Sequence, residues 1–226
     1  MAEVPSLKVR ARPGTYARGL ESVEQILGAA LTVLVDEGYR ALTLRRIAAE
    51  CGLKVGNVTY YFPTKDALVR ELLDSVLNGY EDVFLELIER LDMSDEQKLD
   101  AYVRLILDDI LTKRTTHLFP ELWAMSNYDA VTAQRVDELY VRARSVLVEL
   151  IGRLNPALDE DERQTLALFI SASLEGLTVF AGHKKPWSRR MPWLANIASK
   201  SAFDLITTIT PDDVRGLDRR EVAAVL

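Results

Sequence analysis

The sequence predicts an all-α protein, with a three-helix head at the N-terminal end and a longer helical body behind it. Three observations carry this prediction. Apolar residues recur at three- and four-residue spacing through most of the 226 residues, the period of an amphipathic helix. No stretch alternates apolar and polar residues over a useful strand length. Side chains that cap free helix amides stand ahead of the periodic runs, Thr43, Ser94 and Asp159 among them. The expected division is a flexible basic arm over 1–19, a compact head over 20–65, a helical body over 66–209 and a tail over 210–226.

The leader holds Pro5, Pro13, Gly14 and Gly19 among Lys8, Arg10, Arg12 and Arg18, with few large apolar groups. No long apolar stretch follows its basic residues, so it reads as neither a secretory signal nor a membrane anchor. A basic arm along a nucleic-acid groove and an ordinary charged terminus both fit it. Val23, Ile26, Leu27, Ala30, Leu34 and Val35 then mark one helix, up to Gly38. Thr43 caps the next, which buries Leu44, Ile47 and Ala48 on one face. Gly52 supplies the positive φ that a tight helix exit favours, and Leu53 plugs the corner. A second short helix, Val55 to Tyr61, ends where Pro63 pushes Phe62 out of helical geometry, and Thr64 with Asp66 caps another. Two short helices around a glycine turn, here over 43–62, are the geometry that lays a helix in the major groove of DNA.

Thr43, Arg45, Ile47, Ala48, Gly52, Gly56, Tyr61, Phe62, Pro63 and Lys65, preceded by Glu37-Gly38-Tyr39, resemble at matching spacing the DNA-binding domain of the TetR (tetracycline-repressor) family of bacterial transcription regulators. The chain departs from that family at two positions: Lys54 stands where Ser is usual, and Thr59 where a phosphate-touching Tyr is usual. The expected DNA-contacting set, drawn from the exposed face of the second helix and its neighbours, is Thr43, Arg45, Lys54, Val55, Gly56, Asn57, Thr59, Tyr60 and Lys65. The side chains suit that task. Asn57 can pair with adenine, Thr59 and Val55 can touch a thymine methyl, and Lys54 can take a guanine edge or a phosphate. Arg45, Tyr60 and Lys65 suit positioning contacts to the backbone, and Arg45 can also enter the groove. Gly56 either lets the helix approach the phosphates closely or serves internal packing.

Charge is distributed unevenly. The chain has 28 Lys and Arg against 34 Asp and Glu, a net charge of −6. Residues 1–65 nevertheless hold nine basic and six acidic side chains, a local +3 that leaves −9 for the rest. A basic footprint on an acidic body favours salt-dependent binding at one place and repels DNA elsewhere.

Behind the head, Leu68, Leu72, Val76, Tyr80, Val83, Leu87 and Leu91 mark a helix from Asp66 to about Leu91. Ser94 with Gln97 opens a helix to about Lys113, and Asp159 with Glu162 opens one ending near His183. Between them, Pro120 is expected to kink or restart Thr116 to Asn127, and a helix runs from Ala130 to Leu154. A last long helix spans Pro192 to about Ile209. Leu166 to Phe180 has Glu175 as its only charge, and Trp193, Leu194, Ile197, Phe203 and Ile206 crowd the last helix. Helices this apolar need burial on both sides. The resemblance implies that the segments near 160–182 and 192–209 pair with their copies in a homodimer, so that two heads meet a near-palindromic double-stranded DNA operator. A monomer core is the competing reading.

The resemblance also implies a site for an unidentified small-molecule effector in the body. Its candidates are Tyr102, Ile106, His117, Phe119, Trp123, Met125, Tyr128, Phe169, Ser173 and Phe180, chemistry that serves a pocket or a core equally. One Cys, two distant His and no glycine-rich phosphate loop predict no enzyme, metal or cofactor. They also fit a cytoplasmic protein without a membrane segment. Cys51 is expected to be buried. The basic, Trp- and Pro-containing stretch 183–193 is either a solvent loop or a partner-facing one. The reading is a ligand-responsive, DNA-binding transcriptional regulator, most simply a repressor. The alternative is an all-helical small-molecule carrier that no longer reads DNA.

Overall fold

The computed structural model describes residues 7–9, 17–90 and 92–216. Helices and the turns that join them make up most of these residues, with no strand among them. In order come α1 (Ala17–Glu37), a 3-10 turn (Tyr39–Ala41), α2 (Leu44–Glu50), α3 (Val55–Tyr61), α4 (Lys65–Glu89), α5 (Asp95–Ile110) and α6 (Lys113–Ser126). Then follow α7 (Ala130–Leu154), α8 (Glu160–Glu175), α9 (Leu177–Ala181), a 3-10 turn (Ser188–Arg190), α10 (Met191–Thr208) and α11 (Pro211–Arg215). The all-α expectation therefore stands.

The starts of these helices follow their capping chemistry. Thr43 Oγ1 accepts from the Arg46 amide, and Thr64 Oγ1 accepts from that of Ala67. Ser94 with Gln97, and Asp159 with Glu162, form full capping boxes, each satisfying two amides that would otherwise lack partners. Thr112 caps α6, so that helix starts ahead of Thr116 and takes in Lys113. Pro120 neither ends nor restarts it. A helix-interior proline forgoes its bond to the carbonyl four residues back, and here the ring lies on the exposed side. The run expected to reach His183 breaks at Gly176, dividing α8 from α9.

Two compact units form. One comprises the described residues up to Val83 together with Thr112–Tyr140. Its core joins Ile26, Leu27, Ala30, Val33 and Leu34 of α1 to Ile47 and Ala48 of α2, Val58 of α3 and Leu68 and Leu72 of α4, with α1 packed on α2 and α6, and α2 on α3. Of the expected basic arm, residues 1–6 and 10–16 lie outside the described residues, as does the side chain of Arg18. Leu7–Val9 run beside α4, where the Lys8 amide donates to the Ser75 carbonyl at 3.0 Å and Asn78 donates to the Lys8 carbonyl at 3.2 Å.

The other unit comprises the described residues of 84–111 and 141–216. Leu99, Tyr102, Val103 and Leu107 of α5, Leu147, Leu150 and Ile151 of α7, Leu166, Ile170 and Leu174 of α8, and Ala202 and Ile206 of α10 fill its centre. Buried Asn155, just after α7, donates to the carbonyls of Ile206 and Ile209 at 2.8 and 2.9 Å and so satisfies acceptors at the end of α10. Of the expected tail, 217–226 lie outside the described residues, and Pro211–Arg215 form α11, with Arg215 paired to Asp159 and Glu162 at 2.7 Å.

Candidate nucleic-acid interface

The surface of α3 is set by what lies behind it. Gly52 takes φ +68°, a conformation that costs glycine nothing, and the Leu53 amide then donates back to the Ala48 carbonyl at 2.9 Å, closing the turn. Val58 is fully buried and Phe62 nearly so, which pins one side of α3 to α2. Everything on the other side faces outward. Lys54, Val55, Gly56, Asn57 and Tyr60 are exposed, Tyr60 by 80 %, and Thr43 and Arg45 of the preceding helix are exposed as well.

The groups on this surface differ in how far the chain itself engages them. Lys54 occupies the N-cap position of α3 without bonding to it, so its ammonium stays available. Thr59 Oγ1 donates to the Gly56 carbonyl at 3.2 Å; with the hydroxyl thus engaged, the methyl is the part of Thr59 left for an apolar contact. A Cβ added at Gly56 would meet no atom within 4 Å. No packing within the chain therefore calls for a glycine at this position.

One member of the expected set points elsewhere. Lys65 Nζ donates to the Tyr39 carbonyl at 3.1 Å and lies 3.5 Å from the centre of the Tyr39 ring, a cation-π contact. Partial burial lowers its pKa, against the opposing pull of Asp66, and burial raises that of the Tyr39 phenol. In this arrangement Lys65 braces the start of α4 against the turn after α1.

Comparison with known proteins bears on the whole chain. Residues 26–72 match the family model for bacterial regulatory proteins of the TetR family, and residues 95–191 match that for the C-terminal domain of BetI-type transcriptional repressors. The chain belongs to the TetR family. It is a transcriptional regulator of TetR/BetI type. An uncharacterized helix-turn-helix transcriptional regulator in the dhlA 5′ region of Xanthobacter autotrophicus is 24% identical over 164 residues, covering 70% of this chain and 78% of that protein. The regulator BetI 2 of Chromohalobacter salexigens is 23% identical over 163 residues, covering 70% and 77%. Among solved structures, a protein of Saccharomonospora viridis described as a transcriptional regulator, in complex with choline, has the same fold at TM-score 0.67 and 19% identity, covering 84% of this chain and 97% of that one.

In this TetR-family chain the head is also held by residues that pattern reading did not single out. Arg46 Nε donates to Glu37 at 3.0 Å and its Nη2 to Glu50 at 2.7 Å, tying α1 to α2. The Glu50 half was readable as a pair four residues apart on one helix; the Glu37 half was not. Three side chains of α6, each one turn beyond the last, grip the end of α1. Lys113 pairs with Asp36 at 2.7 Å, His117 Nδ1 bonds the Val35 carbonyl at 2.8 Å, and Glu121 accepts from the Tyr39 amide at 3.2 Å. His117 is thus occupied at a helix end, as is His183 on the Leu111 carbonyl at 3.2 Å. Cys51 is half-buried rather than buried, its thiol on the Ile47 carbonyl at 3.1 Å.

The other expected effector residues are dispersed. Phe119 and Trp123 gather with Tyr80 and Tyr140: ring centres lie 5.9 Å apart for Tyr80 and Phe119, and 6.4 Å for Phe119 with Trp123 and with Tyr140. Trp123 Nε1 donates to the Tyr140 hydroxyl at 2.9 Å. Met125 is buried, whereas Tyr128 is 94 % exposed. Tyr102 is fully buried in the other unit, and burial raises its pKa; Ile106 is half-buried one turn on. Phe169, Ser173 and Phe180 face outward, the two rings 61 % and 62 % exposed. Close by on α8, Glu175 is set against Asp109, and burial together with that neighbouring charge pushes its pKa up to about 7.

Proposed function

We propose that this chain is a homodimeric repressor that holds a near-palindromic operator and leaves it when a small molecule binds. The observation that carries the reading is the outward face of α3, where Lys54, Val55, Asn57 and Tyr60 are exposed around an unobstructed Gly56. Side chains of this kind hydrogen-bond base edges or touch thymine methyls in the major groove, while Thr43 and Arg45 lie beside them for backbone contacts. TetR-family regulators bind DNA, form dimers and respond to small-molecule effectors, and they are generally not enzymes. A soluble cytoplasmic protein is part of the same reading. By length and composition Glu160–Ala181 is apolar enough to cross a membrane, yet only 39% of that window is buried. A second copy laid against it accounts for the apolar surface without a membrane.

The effector site in this reading is the ring cluster of Tyr80, Phe119, Trp123 and Tyr140. Aromatic faces attract cations, and the choline complex of the structural neighbour supports a small organic cation as ligand. The test is selection of bound sequences from a random duplex pool at low salt, followed by release assays on the enriched site. Enrichment of a palindrome, and its release by quaternary ammonium compounds, are expected. A pool with no enriched palindrome overturns the repressor reading. A palindrome released only by uncharged compounds overturns the cationic effector.

A further inference from the structure

The outward surface of α8 and α9 is organised about its own midpoint. Four large apolar side chains on it are exposed: Leu168 and Phe169 on one side, Val179 and Phe180 on the other. Counted from Leu174, they fall six and five residues before and five and six residues after. Between the two pairs the exposed positions are small, Ala172, Ser173 and Gly176. Small residues let two helix backbones approach, and large ones flanking them then interdigitate. A surface whose two halves complement each other about a centre suits an isologous contact, because under a half-rotation each half meets the other half of its own copy.

The ends are complementary in charge. Ahead of the apolar span, the first turn of α8 carries the exposed acids Glu160 and Asp161. Beyond its far end, the loop after α9 carries exposed Lys184 and Lys185, with Lys184 at φ +56°, a backbone conformation in which a non-glycine residue is strained. Farther along that loop the Arg190 guanidinium lies 4.9 Å from the Trp187 ring centre and 5.5 Å from that of Trp193, and both rings are more than half exposed. An exposed arginine stacked between two exposed tryptophans is the composition of an interface.

From these observations we infer the register in which two copies of this chain pair: a two-fold axis crosses α8 at Ala172–Gly176, setting Leu168 and Phe169 against the partner copy's Val179 and Phe180. The inference rests on the homodimer reading given above. Antiparallel pairing about that point brings the end of α9 at Ala181 to the level of the partner copy's Ala167, with Lys184 and Lys185 just beyond it on the side of the first turn of the partner's α8. At about 1.5 Å of rise per residue, Asp161 is about 9 Å beyond Ala167, a span that three loop residues and a lysine side chain cover. The same operation lays the Trp187–Arg190–Trp193 stack beside the acidic end of the partner's α8. The loop 183–193 is in this arrangement a clasp on the second copy.

Cysteine cross-linking reads the register directly, in the full chain with Cys51→Ser as background. Disulfides need Cα atoms within about 7 Å, which only a position near the axis offers to its own copy. Ser173→Cys, on an exposed residue, is expected to cross-link with itself under oxidation. Leu168→Cys alone is not, but a mixture of the Leu168→Cys and Phe180→Cys proteins is expected to give the mixed disulfide. For the clasp, Asp161→Lys is expected to weaken self-association several-fold, and Lys184→Glu with Lys185→Glu to do the same, the combined protein recovering most of the loss. Parental protein that sediments as a monomer at micromolar concentration overturns the homodimer reading. A dimer in which Ser173→Cys stays reduced while Leu168→Cys links to itself overturns the register and leaves the dimer standing. Charge reversals that add without recovery overturn the clasp.

Discussion

On α3 and its N-cap the side chains turned to solvent are Lys54, Val55, Asn57 and Tyr60, three of them able to hydrogen-bond, whereas on α8 to α10 they are Leu168, Phe169, Val179, Phe180, Trp193 and Ile197. Each surface is backed by buried aliphatic residues: Ile47 and Val58 behind the first, Leu166, Ile170 and Leu174 behind the second. Folding therefore uses only one side of each helix, and the outer side is free to carry a different chemistry. Polar groups that water already satisfies lose little by waiting for a partner that offers the same bonds. Large apolar groups left in water are a standing cost that only burial relieves. The first surface suits an intermittent partner and the second a permanent one. Charge obeys the same contrast, since Glu175, the one charged residue from Leu166 to Phe180, is the one whose carboxyl burial has perturbed.

The largest effect is expected from placing charge on the apolar surface. Phe169→Asp combined with Trp193→Asp should weaken self-association by about a thousandfold, two large hot-spot side chains contributing about 2 kcal/mol each. Melting of the monomer should hardly change, because both side chains are already exposed; sedimentation equilibrium checks the first and calorimetry the second. Tyr60→Asp on α3 makes the same kind of change and should leave self-association untouched while abolishing operator binding. A smaller effect belongs to Asn57→Ala: about 1–3 kcal/mol of discrimination at one base pair of each half-site, seen as relaxed preference in a mutated-operator series. A uniform loss across all sequences would place Asn57 on the backbone instead.

The smallest effect concerns the inward carboxyl of α8. A glutamate titrates near 4.5 when unperturbed, but Glu175 does so near 7 in the fold. Between those pH values the native state keeps a proton that the unfolded chain has released, so stability falls as pH rises from 4.5 to 7 and the full penalty applies above 7. Glu175→Gln should therefore melt higher than the parent at pH 8 by a few degrees and match it at pH 4. Equal melting at both values would show that the carboxyl is not buried in solution.

Much of this was legible locally. Val55–Tyr61 and Ala130–Leu154 have the bounds their flanking residues predict, because Gly52, Pro63 and Asn155-Pro156 act within a few residues of themselves. Capping at Thr43, Ser94 and Asp159 is equally local. The exposed side of α3 was legible for a related reason, since helical spacing decides which residues share the side with Val58. What the pattern could not provide depends on residues far apart in sequence. The turn of Lys65 toward Tyr39 requires knowing that the start of α4 meets the turn after α1. The outward placement of Phe169 and Phe180 was hidden because a ring's hydrophobicity is the same whether it fills a core or faces a partner. Interruption at Gly176 was unreadable for another reason: the glycine takes ordinary helical angles, φ −57° and ψ −26°.

The grip of α6 on the end of α1 has a mechanical consequence. Lys113, His117 and Glu121 lie four residues apart, so they form one stripe along α6, and their partners Asp36, Val35 and Tyr39 span little more than one turn at the other side. Rotating α6 by a single residue position, about 100°, would carry all three off their partners together; no partial slip keeps two and frees one. The end of α1 is thus splinted rather than hinged, and any displacement of α6 reaches it as a step.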